Sequence, residues 1–197
     1  MENIHDKRVE KTLSRLRIAF TMLMMEKNFD DITVHDLCRE AHIQRATFYI
    51  HFKDKMDFTA YAIRCAHYEL GEAIQSDLTG AHPIDFLMQY IKSGIAYISS
   101  KEAIYKNVHE SSSFSAICAI IAECTRESLL SNVAAANMLG INLPAELDTT
   151  VTFVNAGLTY TVLNWLRKRP PPSDSQFEEL RKLLSKIFEC EKDQNND

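Results

Sequence analysis

Between residues 33 and 52 the apolar spacing of this chain breaks into two pieces of about two helical turns each, and no other feature constrains the fold as much. Before the break the period is long. Val9, Leu13, Leu16, Phe20 and Leu23 follow steps of four and three, which puts one apolar stripe on a first helix ending near Asn28. Thr33 then reads as the N-cap of a short helix with Val34, Leu37, Cys38 and Ala41 inward, stopped near His42. A second short helix, about Arg45 to Ile50, turns Phe48 inward, with Phe52 one turn on. Two short helices joined by a tight turn of about three or four residues have the dimensions of a helix-turn-helix.

Beyond Lys53 the periods lengthen again. The spacing predicts helices over 55–76, 84–99 and 102–109, a long helix capped by the run Ser111–Ser113, and two last helices over 147–168 and 175–191. Thr79-Gly80, Gly140 with Pro144, and Pro170-Pro171-Pro172 mark the loops between them, and the tail CEKDQNND is expected to fray. With only five glycines and five prolines in 197 residues, the expected fold is all-α, with about nine helices. The expected division is residues 1–54, a three-helix domain holding the helix-turn-helix, and residues 55–197, a larger helical domain.

Composition narrows the function classes. A hydrophobic share of 46% is enough for a core. No run approaches the roughly 18 apolar residues of a membrane span, and no leader pattern opens the chain, so a soluble cytoplasmic protein without membrane contact is expected. Five cysteines without a CxxC pair suit a reducing compartment better than a disulfide framework. The net charge of −5 is unevenly placed: residues 1–58 carry ten basic and ten acidic side chains, so the negative excess lies wholly beyond them. A neutral first segment can still hold a basic face; the acidic remainder is not expected to touch phosphate.

The stretch ITVHDLCREAHIQRATFYIHFKDK, residues 32–55, admits three chemistries. As a metal cage it fails on register, because Cys38 falls on the apolar stripe, His35 falls off it, and no second ligand pair follows at zinc-finger spacing; His42 and His51 do not repair this. As a nucleophile Cys38 lacks a base. As a DNA reader the stretch uses more of its residues. Gln44 suits adenine and Arg45 guanine, Ala46 lets the helix approach the bases, and Thr47 reaches a phosphate or a thymine methyl. Tyr49, His51, Lys53 and Lys55 place donors along the rim, and the helix end beside Lys55 is expected to add backbone N–H groups to the same anion. Taken singly, the charges suit a solvated face and F-Y-x-H-F suits a core.

The pattern T-V-x-D-L-x-x-x-A-x-I-x-x-A-T-F-Y-x-H-F-x-D-K resembles the DNA-binding signature of tetracycline-repressor-like (TetR) regulators over about residues 8–58, and G-L-T-Y-T-V-L-N-W-L is similar to the penultimate helix of many members. The resemblance implies that Thr33 and Tyr49 touch the DNA backbone, that Gln44, Arg45 and Ala46 face bases, and that His51 and Lys55 grip phosphate. It implies a homodimeric repressor on double-stranded DNA, no catalysis and no cofactor. Two positions depart from the pattern. His42 stands where Gly is usual, and Ile50 where a polar or basic residue is common; Ile50 either meets a thymine methyl or packs.

One short helix reads too few base pairs, so a second copy is expected. The dimer candidates are Phe153, Ala156, Gly157 and Tyr160 on one face of helix 147–168, with Phe177, Leu180, Leu184 and Ile187 on the following helix; the opposite face, Val151, Val154, Leu158 and Trp165, is expected inward. A pocket for a small, largely hydrophobic effector is expected among residues with apolar bodies and polar tips. Tyr61, Cys65, Tyr68, Met88 and Tyr90 are its first candidates, then Tyr97, Tyr105, Phe114 and Cys118, with Met138 beside them. Three readings compete: hydrolytic chemistry at His109, Glu110 and Ser111–Ser113, where consecutive residues rarely converge; a redox pair Cys118 and Cys124, on different faces of one helix; and a protein of the same fold working through a protein partner without binding DNA by itself.

Overall fold

The computed structural model describes residues 4–77, 83–138, 147–167 and 172–188. All of its regular structure is helical: α1 (Ile4–Glu26), α2 (Val34–Glu40), α3 (Arg45–His51), α4 (Lys55–Asp77), α5 (Pro83–Ser100), α6 (Glu102–His109), α7 (Phe114–Met138), α8 (Leu147–Arg167) and α9 (Asp174–Phe188). A 3-10 turn at Phe29–Asp31, absent from the sequence reading, closes the step from α1 to α2. The expected loops at Thr79-Gly80, Gly140 with Pro144 and Pro170-Pro171, and the tail from Cys190, lie outside the described residues.

Packing divides the chain into two compact units. One joins the described residues up to Cys65 to Ser100–Ile120, and the other joins Ala66–Ser99 to the described residues from Ile121. The expected boundary after residue 54 differs from this division: in packing, α6 and the start of α7 belong with the first unit, and α4 and α7 each pass from one unit into the other.

In the first unit α1 packs on α2 and α6, and α2 packs on α3. The expected stripe holds, with Leu16, Phe20 and Leu23 buried. Phe58 is the hub of a ring cluster. Its centroid lies 5.4 Å from Phe20 and 5.1 Å from Phe52, both edge-on, and 5.9 Å from Phe48. Edge-to-face rings have few equivalent arrangements, so this core fixes the angle at which α3 leaves the unit.

Polar ties pin the α6–α7 corner to the same body. Asn107 Nδ2 donates to the Met24 carbonyl oxygen at 2.9 Å, and the Asp30 carboxylate accepts from Ser112 N–H at 2.6 Å and Ser113 Oγ at 3.1 Å. The serine run was expected to cap α7. Instead Ser111 Oγ donates to the Val108 carbonyl oxygen at the end of α6, and Asp30 comes from outside to accept the free N–H before α7. The Ser112 N–H, foremost, holds the Asp30 carboxyl below its usual range.

The second unit buries Ile84, Leu87, Met88, Ile91 and Ile95 of α5 against Val151, Val154 and Leu158 of α8 and Phe177, Leu180 and Leu184 of α9. Arg181 and Asp85 join α9 to α5 at 2.6 Å, and Trp165 meets Phe177 edge-on at 5.4 Å. This settles one expectation against the sequence. Phe177, Leu180 and Leu184, assigned to a dimer surface, are core residues of their own subunit, and Ile187 packs against that core. A single apolar stripe on a polar helix satisfies either assignment, and only the position of α5 and α8 chooses between them.

Candidate nucleic-acid interface

The site begins with the cap of α2. Thr33 Oγ1 accepts from Asp36 N–H at 3.1 Å and donates to Asp36 Oδ2 at 2.7 Å, while the same carboxylate accepts from Thr33 N–H at 3.1 Å. Lys27 Nζ adds an ion pair at 3.2 Å. The Thr33 hydroxyl, its N–H and Lys27, in that order, hold the Asp36 carboxyl far below its usual range, so it stays ionised. Two N–H groups are thereby satisfied reciprocally and the start of α2 is fixed.

Its other end closes as a Schellman turn. Ile43 N–H donates to the Cys38 carbonyl oxygen at 2.9 Å and His42 N–H to that of Arg39 at 3.2 Å. This geometry requires a left-handed residue, and His42 supplies it with φ 53°. The departure from Gly seen in the sequence therefore leaves the turn intact, at a conformational cost.

Thus α3 starts with no side-chain cap on its N-cap residue, Gln44, which leaves that amide uncommitted to the helix end. Gln44, Arg45 and Ala46 are exposed, Thr47 is half-buried, and Phe48 is fully buried beneath them. Arg45 Nη2 donates to the Tyr49 hydroxyl oxygen at 3.4 Å, with its guanidinium 5.9 Å above the ring. This bond raises the already high pKa of the guanidinium. His51 is half-buried at the end of α3, and Lys53 is exposed.

Two details differ from expectation. Lys55 does not project freely: Nζ donates to the Phe29 carbonyl oxygen at 2.6 Å and lies 4.2 Å from the centre of the Phe29 ring. Burial lowers its pKa. Nor is the start of α4 an open set of donors, because Asp54 Oδ1 accepts from Asp57 N–H at 2.9 Å and Asp57 Oδ2 accepts from Lys53 N–H at 2.9 Å. The sequence signal for this cap was present in Asp54 and Asp57, three apart. The 3-10 turn also had one, since Asn28 Oδ1 accepts from Asp30 N–H at 2.9 Å in the manner of an Asx turn.

The alternative chemistries find little here. Cys38 is buried, its thiol pushed up by desolvation, while His35 stands exposed, so the two share no surface. Among the described residues no group of three or more His, Cys, Asp or Glu is arranged to hold a metal ion. Among them also, no helix is long and apolar enough to cross a membrane.

The effector candidates fall into two sets. Tyr61, Cys65, Tyr105, Phe114 and Cys118 belong to the first unit, and Tyr68, Met88, Tyr90 and Tyr97 to the second. Tyr61 packs on Phe52 at 5.3 Å as part of the ring cluster, and burial pushes the Cys118 thiol up. His109 bridges Tyr105 and Phe114 at 5.5 and 4.8 Å. Tyr68 (69% exposed) and Tyr97 (53% exposed) stand on the surface of their unit. Met88 and Tyr90 are buried, and the Tyr90 hydroxyl is hydrogen-bonded to Nδ1 of His67, a residue the sequence reading passed over. Burial lowers the His67 pKa to about 4 and raises that of Tyr90. The side chain of Met138 lies outside the described residues.

Residues 19–61 match the family model for bacterial regulatory proteins of the tetR family. The match covers 43 of the 197 residues and shows that this segment is similar to that family. YxbF of Bacillus subtilis (strain 168), an uncharacterized HTH-type transcriptional regulator, is 30% identical over 107 residues, 53% of this chain but 27% of that protein. The match thus spans about a quarter of the relative's length. Among solved structures, RolR in complex with resorcinol superposes with a TM-score of 0.65 at 15% identity, covering 92% of this chain and 89% of that one. A TetR regulator from Rhodococcus sp. RHA1 gives 0.64 at 16% identity, with 89% and 96% covered, and the dihydroxyacetone kinase operon activator DhaS gives 0.58 at 18%, with 90% and 97% covered. These likenesses show the tetR fold well beyond the helix-turn-helix.

Proposed function

We propose that this chain is a sequence-specific DNA-binding transcriptional regulator, a homodimeric repressor that leaves a palindromic operator when a small, largely hydrophobic effector binds. One observation carries the reading. Gln44, Arg45 and Ala46 stand exposed at the start of a short helix whose angle is fixed by Phe48 below and the turn at His42 behind. In the major groove Gln44 and Arg45 offer bidentate donors and acceptors to base edges, while Tyr49, His51 and Lys53 meet phosphates. The Thr33 hydroxyl serves the cap, so its share in DNA contact falls to its backbone surroundings, and Lys55 braces the turn at Phe29 as well as lending charge.

The dimer rests on α8. Phe153 (74% exposed), Ala156, Gly157 and Tyr160 (71% exposed) form an outward apolar face opposite the buried Val151, Val154 and Leu158. A side chain added at Gly157 meets nothing within 4 Å, so Gly157→Trp leaves the subunit intact and is expected to yield monomers on sizing. An effector in the second unit would find polar anchors in the Tyr90–His67 pair and in Asn155, whose buried Oδ1 has no hydrogen-bond partner among the described residues. Since α4 starts beside the DNA-facing segment and continues into that unit, occupancy there changes the spacing of two recognition helices required about 34–36 Å apart.

The test is selection of bound duplexes from a random pool at moderate salt, followed by sequencing. An inverted repeat is expected, and Arg45→Ala should relax its consensus at one position by about 1–3 kcal/mol. Recovery of no motif by folded dimers overturns the reading and favours action through a protein partner.

A further inference from the structure

Ile50 is the most exposed large hydrophobic side chain among the described residues, at 76%. It does not pack, so one of the two roles left open by the sequence is gone. Its direction is set by Phe48, which is fully buried and so marks the inward face of α3. At about 100° per residue, Ala46 and Ile50 point about 160° and 200° away from Phe48, one turn apart on the line facing directly outward. The Arg45–Tyr49 pair flanks this line on one side, and Thr47 and His51 flank it on the other. The centre of a face bordered by charged and hydrogen-bonding groups is therefore apolar.

We propose that Ile50, with Ala46 one turn before it, is a specificity-determining residue that seats the 5-methyl group of a thymine in the major groove. The inference rests on the DNA-reading function above and names the base feature read at its centre. Thymine presents the one apolar group on the major-groove edge of the four bases, and cytosine carries only a hydrogen at that carbon, beside an amino group that would lose its water against Ile50 without gaining a partner. A β-branched side chain is held to one χ1 well in a helix, so Ile50 offers the methyl group a fixed surface at little entropic cost. The neighbouring Arg45, paired with Tyr49, stays directed to the side of this contact.

The experiment uses the full chain and the duplex recovered by selection, beside a copy in which every half-site thymine is replaced by deoxyuridine. The pairing is unchanged and only the methyl groups are removed. For the native protein the replacement should weaken binding about fourfold per half-site, the equivalent of one buried methyl group, and so about fifteenfold for a two-fold operator. Ile50→Ala should bind the thymine duplex that much more weakly and make no distinction between the two duplexes. Since Ile50 covers no core residue, folding is unaffected, which thermal melting checks. Equal binding of both duplexes by the native protein overturns the proposal while leaving DNA recognition standing. An undiminished distinction in Ile50→Ala shows that another residue reads the methyl group and overturns it equally. If no duplex is bound selectively, the DNA-reading function itself falls, and this inference with it.

Discussion

The unit that carries the short helix pair is cored by the rings of Phe20, Phe29, Phe48, Phe52 and Phe58, whereas the second unit is cored mainly by Ile84, Leu87, Ile91, Val151, Leu158 and Leu184. The polar restraints differ as well. In the first unit a reciprocal cap at Thr33 and Asp36, a Schellman turn at His42 and the Asp30–Ser112 tie fix each change of direction. The second unit holds a half-buried His67 paired with the buried Tyr90, and an amide oxygen on Asn155 with no hydrogen-bond partner among the described residues. The proposed function would account for the difference: donors aimed at base edges would have to be held within fractions of an ångström, which interlocked rings and caps achieve, while a unit responding to an effector would need aliphatic contacts that repack at small cost.

The most direct way to break this comparison is to exchange volume in each core. Phe48→Ala should cost about 3–5 kcal/mol and abolish DNA binding, whereas Leu184→Met should cost less than about 1.5 kcal/mol, both read from urea unfolding. Similar costs would mean that the aromatic core is no stricter than the aliphatic one.

Acid should separate the units next. His67 has a folded pKa of about 4 against 6.5 for the free side chain, so the unfolded chain binds the proton more readily. Its contribution is complete above pH 6.5, declines through the interval to about 4 and amounts to as much as ~3 kcal/mol. Asp36 has the opposite sense. Its depressed pKa gives stability that is complete above 3.8 and is lost only below it. Hydrogen exchange at pH 5 should therefore rise around α4 and α5 before it rises in α2, and His67→Gln should remove the difference. Simultaneous loosening would assign acid sensitivity elsewhere.

Two smaller effects sharpen the account of the first unit. Thr33→Ala removes the cap of α2 and should lower stability by about 1 kcal/mol, with Asp36 titrating nearer its usual range by NMR. His42→Gly should raise stability by about 0.5 kcal/mol, because relief of the left-handed strain outweighs the freedom glycine adds to the unfolded chain. A loss on His42→Gly would show that the imidazole makes a contact worth more than that strain.

Much of this organisation was legible beforehand, and the reasons are local. The α2 cap needs only Thr33 and Asp36 at a spacing of three, and helix lengths follow from apolar periodicity within each segment. What was misread depended on partners distant in sequence. Asp30 reaches Ser112, Lys55 reaches Phe29, and His67 reaches Tyr90, pairs that no window of ten residues contains. Tyr68 and Tyr97, chosen for their polar-tipped rings, stand exposed on their unit.

The sequence by itself determined the helices, the turn at His42 and the polar start of α3, because capping, backbone strain and periodicity act over a few residues. Tertiary structure alone decided which stripe of a helix becomes core. It turned Phe177, Leu180 and Leu184 inward and left Ile50 exposed, since burial depends on which element comes to lie against a face.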